Sequence, residues 1–134
     1  MPVNKRLFLQ GKRQVDEHLG TVYGIESKLH SNVLRLAGTA DLIGMWDGEL
    51  SIIDYKTSAK YKHEDWIQGY FYQSTLYAMM VHELTKAKLS PKWIVVVITG
   101  DDVVEAQVFR KPVSQYLEET INLVKEYNAG NHRN

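Results

Sequence analysis

Two aspartates are expected to meet across a β-hairpin. Asp47-Gly48 separates two β-like runs, and Asp-Gly in this position is the strongest short-range signal for a hairpin with a two-residue turn. Opposed positions in such a hairpin have numbers of constant sum, so Asp41 is expected opposite Asp54. Opposed side chains lie about 4.5–5.5 Å apart at Cβ, where like charges are destabilising. The pair must therefore share a proton, a basic residue or a metal ion.

Lys56 adds an amine to this pair. It follows Asp54 by two positions, so both side chains leave the strand on the same face, with Thr39 opposite Lys56. Carboxylates suit Mg²⁺ or Mn²⁺, which complete their shells with water and phosphate oxygens. Such an ion lowers the pKa of a bound water, and a lysine stabilises charge on a phosphoryl group. The arrangement is typical of metal-dependent phosphodiester hydrolysis, and a structural salt bridge is the alternative.

The composition is that of an ordinary globular protein. The chain of 134 residues is 44% hydrophobic and 24% charged with zero net charge, which predicts a single domain over residues 1–134. The absence of cysteine excludes a disulfide scaffold, a thiolate zinc site, an iron–sulfur cluster and a cysteine nucleophile. Neither a membrane-length apolar run nor a secretory signal is visible, so we expect a cytoplasmic protein without a membrane partner.

The elements that must position these residues are predicted in the order helix, three strands, helix, two strands, helix. Hydrophobic periodicity predicts helices over residues 5–19, 64–87 and 112–128, the last followed by a stop at Gly130. Strands are predicted over residues 21–30, 33–46, 49–57, 93–98 and 103–109. This order predicts an α/β fold with a central mixed sheet flanked by helices. The hairpin register also opposes Ile43 to Ile52, unless a bulge at Gly38 or Gly44 shifts it.

The central predicted helix carries one stripe of mostly apolar side chains. The stripe comprises Trp66, Tyr70, Gln73, Tyr77, Met80 and Leu84. Gln73 is its polar member, and a buried amide needs hydrogen-bond partners such as the lysine loop. Core packing is the simplest role for Trp66, Tyr70, Phe71 and Tyr72, and base stacking by one or two of them is the alternative. For Tyr77 the alternative to an active-site role is a core tyrosine.

The residues around the aspartates resemble a known nuclease family. Three motifs occur in order: Gly38-x-x-Asp41, Asp54-x-Lys56 and Gln73-x-x-x-Tyr77. Over roughly residues 26–80 the chain is similar to the PD-(D/E)xK nuclease superfamily, in particular to its RecB-like, phage-type exonuclease branch. The resemblance implies a restriction-endonuclease-like αβββαβ core, Mg²⁺ or Mn²⁺ as cofactor, and DNA with free or single-stranded ends as partner.

The resemblance also implies roles for individual residues. Asp41 and Asp54 would be metal ligands, joined by Glu26, for which a solvent-facing strand position is the alternative. Lys56 would be the catalytic lysine, and Gln73 and Tyr77 would lie in the active site or contact DNA.

Four residues after the third strand are candidate nucleic-acid contacts: Thr57, Ser58, Lys60 and Lys62. Their alternatives are simple termination of the strand and a solvated run of charge. Many RecB-type nucleases also ligate metal through a histidine on a helix well before the first strand. His18 lies very close to that strand, so either it is a surface or core histidine or the usual helix is absent from this chain.

The sequence therefore predicts a metal-dependent DNA nuclease, and specifically an exonuclease of recombination or repair in a bacterial or phage-infected cell. One alternative is a catalytically incomplete nuclease fold that serves as a nucleic-acid-binding or assembly module, which neutral net charge would suit. A phosphodiesterase of RNA or small nucleotides is the third hypothesis.

Overall fold

A mixed β-sheet is the centre of this computed structural model, which describes residues 12, 15–100 and 105–131. Within these ranges the strands follow sequence order across the sheet: β1 (Leu19–Ser31), β2 (Leu36–Trp46), β3 (Glu49–Thr57), β4 (Trp93–Thr99) and β5 (Gln107–Pro112). β3 and β4 are parallel, and the other neighbours are antiparallel. A 3₁₀ turn (Glu64–Ile67) leads into helix α1 (Gln68–Leu84), and helix α2 (Val113–Asn131) follows β5. The predicted α/β fold is confirmed.

Both faces of the sheet are covered. On one face Ile94, Val96 and Ile98 of β4 pack against Phe71 of α1 and Tyr116 of α2. On the other face the intervening side chains of β4 join a second cluster that includes Val15, Leu42, Trp46 and Ile53. Burial on both faces explains why β4 is a continuous apolar run. None of the described helices is long and apolar enough to cross a membrane.

The hairpin has the predicted turn and the predicted register near it. Asp47 and Gly48 adopt φ of 50° and 80°, as a type I′ turn requires. Ile43 opposes Ile52, and the register shifts of the sheet lie between β1 and β2 rather than in the hairpin.

The hairpin ladder stops one residue short of the aspartates. Its last pair is Leu42 with Ile53, so the regular pairing expected for Asp41 with Asp54, and for Thr39 with Lys56, is wrong. A side-chain bond replaces the ladder at this point, because the Tyr55 N–H donates to Asp41 Oδ2 at 2.8 Å.

The ends of several elements differ from their predicted bounds. β2 begins at Leu36 because residues 32–35 form a turn in which Arg35 has a φ of 57°. α1 ends at Leu84. The turn that follows contains two residues with positive φ, Lys86 and Ala87, and it reverses the direction of the chain. The stop predicted at Gly130 was wrong, since α2 continues to Asn131.

The remaining differences lie at the two flanks of the sheet. β5 is Gln107–Pro112 rather than 103–109, because it pairs with β4 as far back as Trp93. Residues 103–104 lie outside the described part of the chain. Of the helix predicted over 5–19, residues 12 and 15–18 are helical, Leu19 begins β1, and the others lie outside the described residues.

Candidate active site

Lys56 is held at the carboxyl end of β3 by three contacts. Its Nζ lies 3.0 Å from Asp54 Oδ2 and donates to Gln73 Oε1 at 3.0 Å. The ammonium also lies 5.0 Å from the centre of the Tyr70 ring, a cation–π distance. Gln73 and Tyr70 belong to α1, three positions apart, so one face of this helix presents both to the lysine. The geometry brings the predicted Lys56–Gln73 pair together.

Asp54 is a buried acid beside a second acid. It is 4% exposed, and both Ile53 before it in β3 and Val96, its partner in the parallel strand β4, are core residues. The pKa of Asp54 is raised to about 7, because burial and contact with the Asp41 carboxyl raise it by more than Lys56 lowers it. The two carboxyls therefore meet as expected, although they do so beyond the end of the regular ladder.

Tyr77 packs against the glycine of the Gly-x-x-Asp segment. A Cβ atom at Gly38 would lie 2.6 Å from Tyr77 Cε1 and 3.2 Å from its hydroxyl oxygen, so only glycine allows this approach. Burial, followed by the charge of Asp54, raises the pKa of the Tyr77 hydroxyl. The contact fixes β2, which carries Asp41, against α1, which carries Gln73.

The family assignment is decided by comparison with known families. A family model described as the PD-(D/E)XK nuclease superfamily matches residues 4–131. The chain belongs to this superfamily. None of the curated proteins matches the chain.

The superfamily's name matches the geometry of the site. Asp41 and the Asp54-x-Lys56 segment correspond to its acidic and lysine positions, with Ala40 where the name has proline. A mixed sheet flanked by helices is consistent with the restriction-endonuclease-like fold of the superfamily. Its members generally hydrolyse phosphodiester bonds and typically use divalent ions such as Mg²⁺.

The donor set fits the metal expected of a PD-(D/E)XK protein. Asp54 Oδ2 is buried and, within the described residues, accepts no hydrogen bond of regular geometry. Asp41 uses one oxygen for the Tyr55 N–H and lies against Asp54. Mg²⁺ is commonly bound by one or two carboxylates and several waters. Asp41 and Asp54 therefore suffice to hold such an ion.

Glu26 has an irregular position on β1. The described ranges contain no cluster of three or more His, Asp or Glu residues suited to a metal ion. Glu26 is exposed and has a φ of 46°, and the pairs Ile25–Leu42 and Ser27–Ala40 on either side of it put its position across from Asp41 in the β1–β2 register. Its role as a ligand stays a prediction.

The segment that follows β3 is held by hydrogen bonds at Ser58 and Lys62, and the nucleic-acid contacts proposed for it stay a prediction. Thr57 is the exposed last residue of β3, and Lys60 is exposed. The Ser58 hydroxyl is engaged within the loop, where it donates to the Lys60 carbonyl at 2.6 Å. The Lys62 backbone is held by Gln107, which accepts from its N–H at 2.8 Å and donates to its carbonyl at 2.7 Å.

Gln107 is the residue of this region that the sequence did not reveal. It is buried on β5 and fixes a loop 45 positions earlier in the chain. A single glutamine in a short strand carries no signal of such a distant partner.

Three residues of the predicted stripe, Trp66, Gln73 and Leu84, are more exposed than core packing would require. Gln73 is exposed rather than buried, and it still binds Lys56. Trp66 is 76% exposed, because it lies in the 3₁₀ turn, whose three residues per turn rotate it away from the α1 face.

His18 lies at the opposite end of the hairpin. Its ring stacks on Trp46 with centres 5.0 Å apart, and its Nδ1 lies 2.6 Å from Asp47 Oδ1. These contacts tie the helical turn at residues 15–18 to the hairpin turn. His18 is thus a structural residue of the turn end, as the first of its two interpretations held.

Proposed function

We propose that this protein is a Mg²⁺- or Mn²⁺-dependent DNA nuclease of the RecB-like branch. In this proposal it acts as an exonuclease on free or single-stranded DNA ends during recombination or repair in a bacterial or phage-infected cell. The observation that carries the proposal is the contact of Lys56 with both Asp54 and Gln73, each at 3.0 Å, beside a second carboxylate. Membership of a nuclease superfamily supports the chemistry, and the strand type and the branch are our inference.

A divalent ion held by Asp41 and Asp54 would activate a water molecule and neutralise charge on the scissile phosphate. Lys56 has three N–H donors. Gln73 and Asp54 occupy two of its directions, which leaves a third for a phosphate oxygen as negative charge develops on it. Because the ammonium is already held in position, little reorganisation is needed during the reaction.

Tyr77 and Gly38 act in this mechanism as positioning residues. Their close packing holds β2 against α1, and thereby sets the separation between the carboxylates and Gln73. Gln73 in turn orients Lys56 by accepting one of its protons.

The test is degradation of end-labelled single- and double-stranded DNA with Mn²⁺. We expect cleavage that EDTA abolishes and that Lys56→Ala slows by about 100- to 1,000-fold, the cost of removing one charge-stabilising group. Lys125→Ala, at an exposed position of α2, is the matched control and should cleave at the normal rate. The product ladder would give the polarity and separate exonuclease from endonuclease action.

A second candidate is a catalytically incomplete module that binds nucleic acid or assembles with other proteins. This candidate is favoured because the described residues contain no group of three or more His, Asp or Glu side chains that could hold a metal ion. Thermal stabilisation by Mn²⁺ without any DNA cleavage would support this candidate over the nuclease. Competition of RNA or small nucleotides for DNA cleavage would reveal a broader phosphodiesterase.

A further inference from the structure

Two large aromatic side chains are exposed between β3 and α1. Trp66 is 76% exposed and Tyr61 is 67% exposed, whereas Trp46 in the core is 1% exposed. Exposed aromatic residues are costly to leave in water and are enriched where proteins bind partners. We call Tyr61 and Trp66 the aromatic pair.

The segment that carries the aromatic pair is fixed in place. Gln107 binds both backbone groups of Lys62, and the Ser58 N–H donates to the Thr99 carbonyl at 2.8 Å. A Cβ atom at Gly100 would lie 1.7 Å from the Ser58 carbonyl oxygen, so a glycine is required there for this contact. A surface held in this way loses little conformational freedom when it binds a partner.

Trp66 is close to the candidate active site along the chain. It precedes Tyr70 by four positions, and the 3₁₀ turn runs directly into α1. The Tyr70 ring lies 5.0 Å from Lys56 Nζ. The 3₁₀ geometry turns Trp66 away from the α1 face that carries Tyr70, so Trp66 would contact a part of the bound strand that lies beyond Lys56.

The charge around the aromatic pair suits a phosphate backbone. Lys60 is exposed, and the His63 ring lies 5.6 Å from that of Trp66. Of the two acids in the same segment, Glu64 forms an ion pair with Lys111, and Asp65 lies 3.6 Å from His63. Lysine beside exposed aromatic rings is the combination that binds single-stranded nucleic acid, whose phosphates pair with the cation while its bases stack on the rings.

We propose that the aromatic pair stacks on unpaired bases of the strand that reaches Lys56, while Lys60 contacts its phosphates. In a paired duplex the base faces are covered by neighbouring bases, so the site would select single-stranded or frayed ends. The inference rests on the proposed nuclease function, because it assigns the strand class that this same site accepts.

The experiment measures binding in EDTA, so that the strand is not cut. The probe is a labelled oligothymidylate of about ten nucleotides, within the site sizes usual for single-strand binding, compared with a blunt hairpin duplex. Trp66→Ala is expected to weaken single-strand binding about 5- to 150-fold, the loss of one stacked base. Duplex binding should change little. Tyr127→Ala, which removes another exposed aromatic side chain, is the matched control and should leave affinity unchanged.

Two further measurements separate stacking from an indirect effect on folding. Trp66→Phe should retain affinity but lose the quenching of tryptophan fluorescence by the oligonucleotide, because Trp66 is the most exposed tryptophan. Replacing one thymidine by an abasic residue should weaken binding to the wild type and have no effect on Trp66→Ala. Lys60→Ala should lower the slope of log affinity against log salt by about 0.7, the value for one phosphate contact to a single strand.

The outcomes distinguish this inference from the proposed function. Single-strand binding that Trp66→Ala leaves unchanged would overturn the inference, even if Mn²⁺-dependent cleavage is found. Absence of single-strand binding by the wild type, or quenching that persists in Trp66→Phe, would also overturn it. Trp66-dependent binding without cleavage would support the stacking site and contradict the nuclease.

Discussion

The two ends of the β2–β3 hairpin differ in how their polar groups are satisfied. At the turn end, Asp47 Oδ1 lies 2.6 Å from His18 Nδ1, and the Asp47 N–H donates to the His18 carbonyl at 2.9 Å. At the open end, Asp54 is buried beside Asp41, and its Oδ2 lies 3.0 Å from Lys56 Nζ. One hairpin thus joins an end with a partly exposed charged pair to an end where two carboxyls share one ammonium group.

This difference separates a contribution to stability from a contribution to function. A buried carboxylate is retained in proteins when it is paired or holds a metal ion. The raised pKa of Asp54 means that the metal-free fold is less stable when this group is ionised. Strongly perturbed acids are concentrated at functional sites. These properties support our proposal that the open end is the functional end of the hairpin and that the turn end is structural.

The sharpest test of this comparison is Asp54→Asn. Cleavage should fall about 1,000-fold or more, because the amide no longer provides a charged ligand for the ion. In EDTA near pH 8 the same variant should unfold at a higher temperature, because an amide places no charge in the buried position. DNA cleavage and thermal unfolding measure the two effects.

Glu49→Gln is the matched control for Asp54→Asn, because it neutralises an exposed carboxylate at the turn end of the same strand. It should change neither the cleavage rate nor the unfolding temperature appreciably. If Asp54→Asn were less stable than the wild type in EDTA, the ionised Asp54 carboxylate would not be destabilising the metal-free fold.

The pH dependence of stability gives a second contrast. The pKa of Asp54 is about 7 in the folded protein and near 3.8 in an unfolded chain, so the folded state binds the extra proton between these values. The contribution of Asp54 to metal-free stability should therefore be most favourable below about pH 4 and should decrease as the pH rises to about 7. Denaturant unfolding across this range measures the Asp54 contribution as the difference between wild type and Asp54→Asn.

Metal should reverse this dependence. An ion binds the ionised carboxylates, so Mn²⁺ should raise the unfolding temperature more near pH 8 than near pH 5. Equal stabilisation at both values would show that Asp54 does not hold the ion.

Local pattern predicted the hairpin and the position of its charged groups. The Asp-Gly turn fixes which residues face each other as far as Leu42 and Ile53, and the two-residue spacing places Lys56 beside Asp54. Patterns of this kind act over a few residues, so they contain no information about the approach of Gly38 to Tyr77 or of Gln107 to Lys62. These contacts depend on how α1 and β5 pack against the sheet.

Hydrophobic periodicity did not predict the exposure of Trp66 for a related reason. The spacing of the stripe is that of an α-helix over its whole length, whereas its first turn is a 3₁₀ helix. Similarly, the end of the ladder at Leu42 and Ile53 depends on a side-chain bond to Tyr55 that no strand pattern contains.

The open end depends on packing as well as charge, which Gly38→Ala tests. The added methyl group would lie 2.6 Å from Tyr77, and overpacking of this kind costs about 1–3 kcal/mol. Displacement of β2 from α1 should also slow cleavage. Gly69→Ala is the matched control: a methyl group there meets no atom within 4 Å, and it should stabilise α1 by roughly 0.5–1 kcal/mol. Equal stability of the two variants in denaturant unfolding would contradict the close contact.

The smallest effect is expected at the turn end, from Asp47→Asn. Asparagine tolerates the positive φ of this position, so the turn is kept while the charge facing His18 is removed. Because the pair is partly exposed, its loss should cost at most about 1 kcal/mol. Cleavage should be unchanged, since the pair lies at the end of β2 away from Asp41. A large loss of activity in Asp47→Asn with an unchanged unfolding temperature would show that the two ends are coupled, and the separation of a structural end from a functional end would then fail.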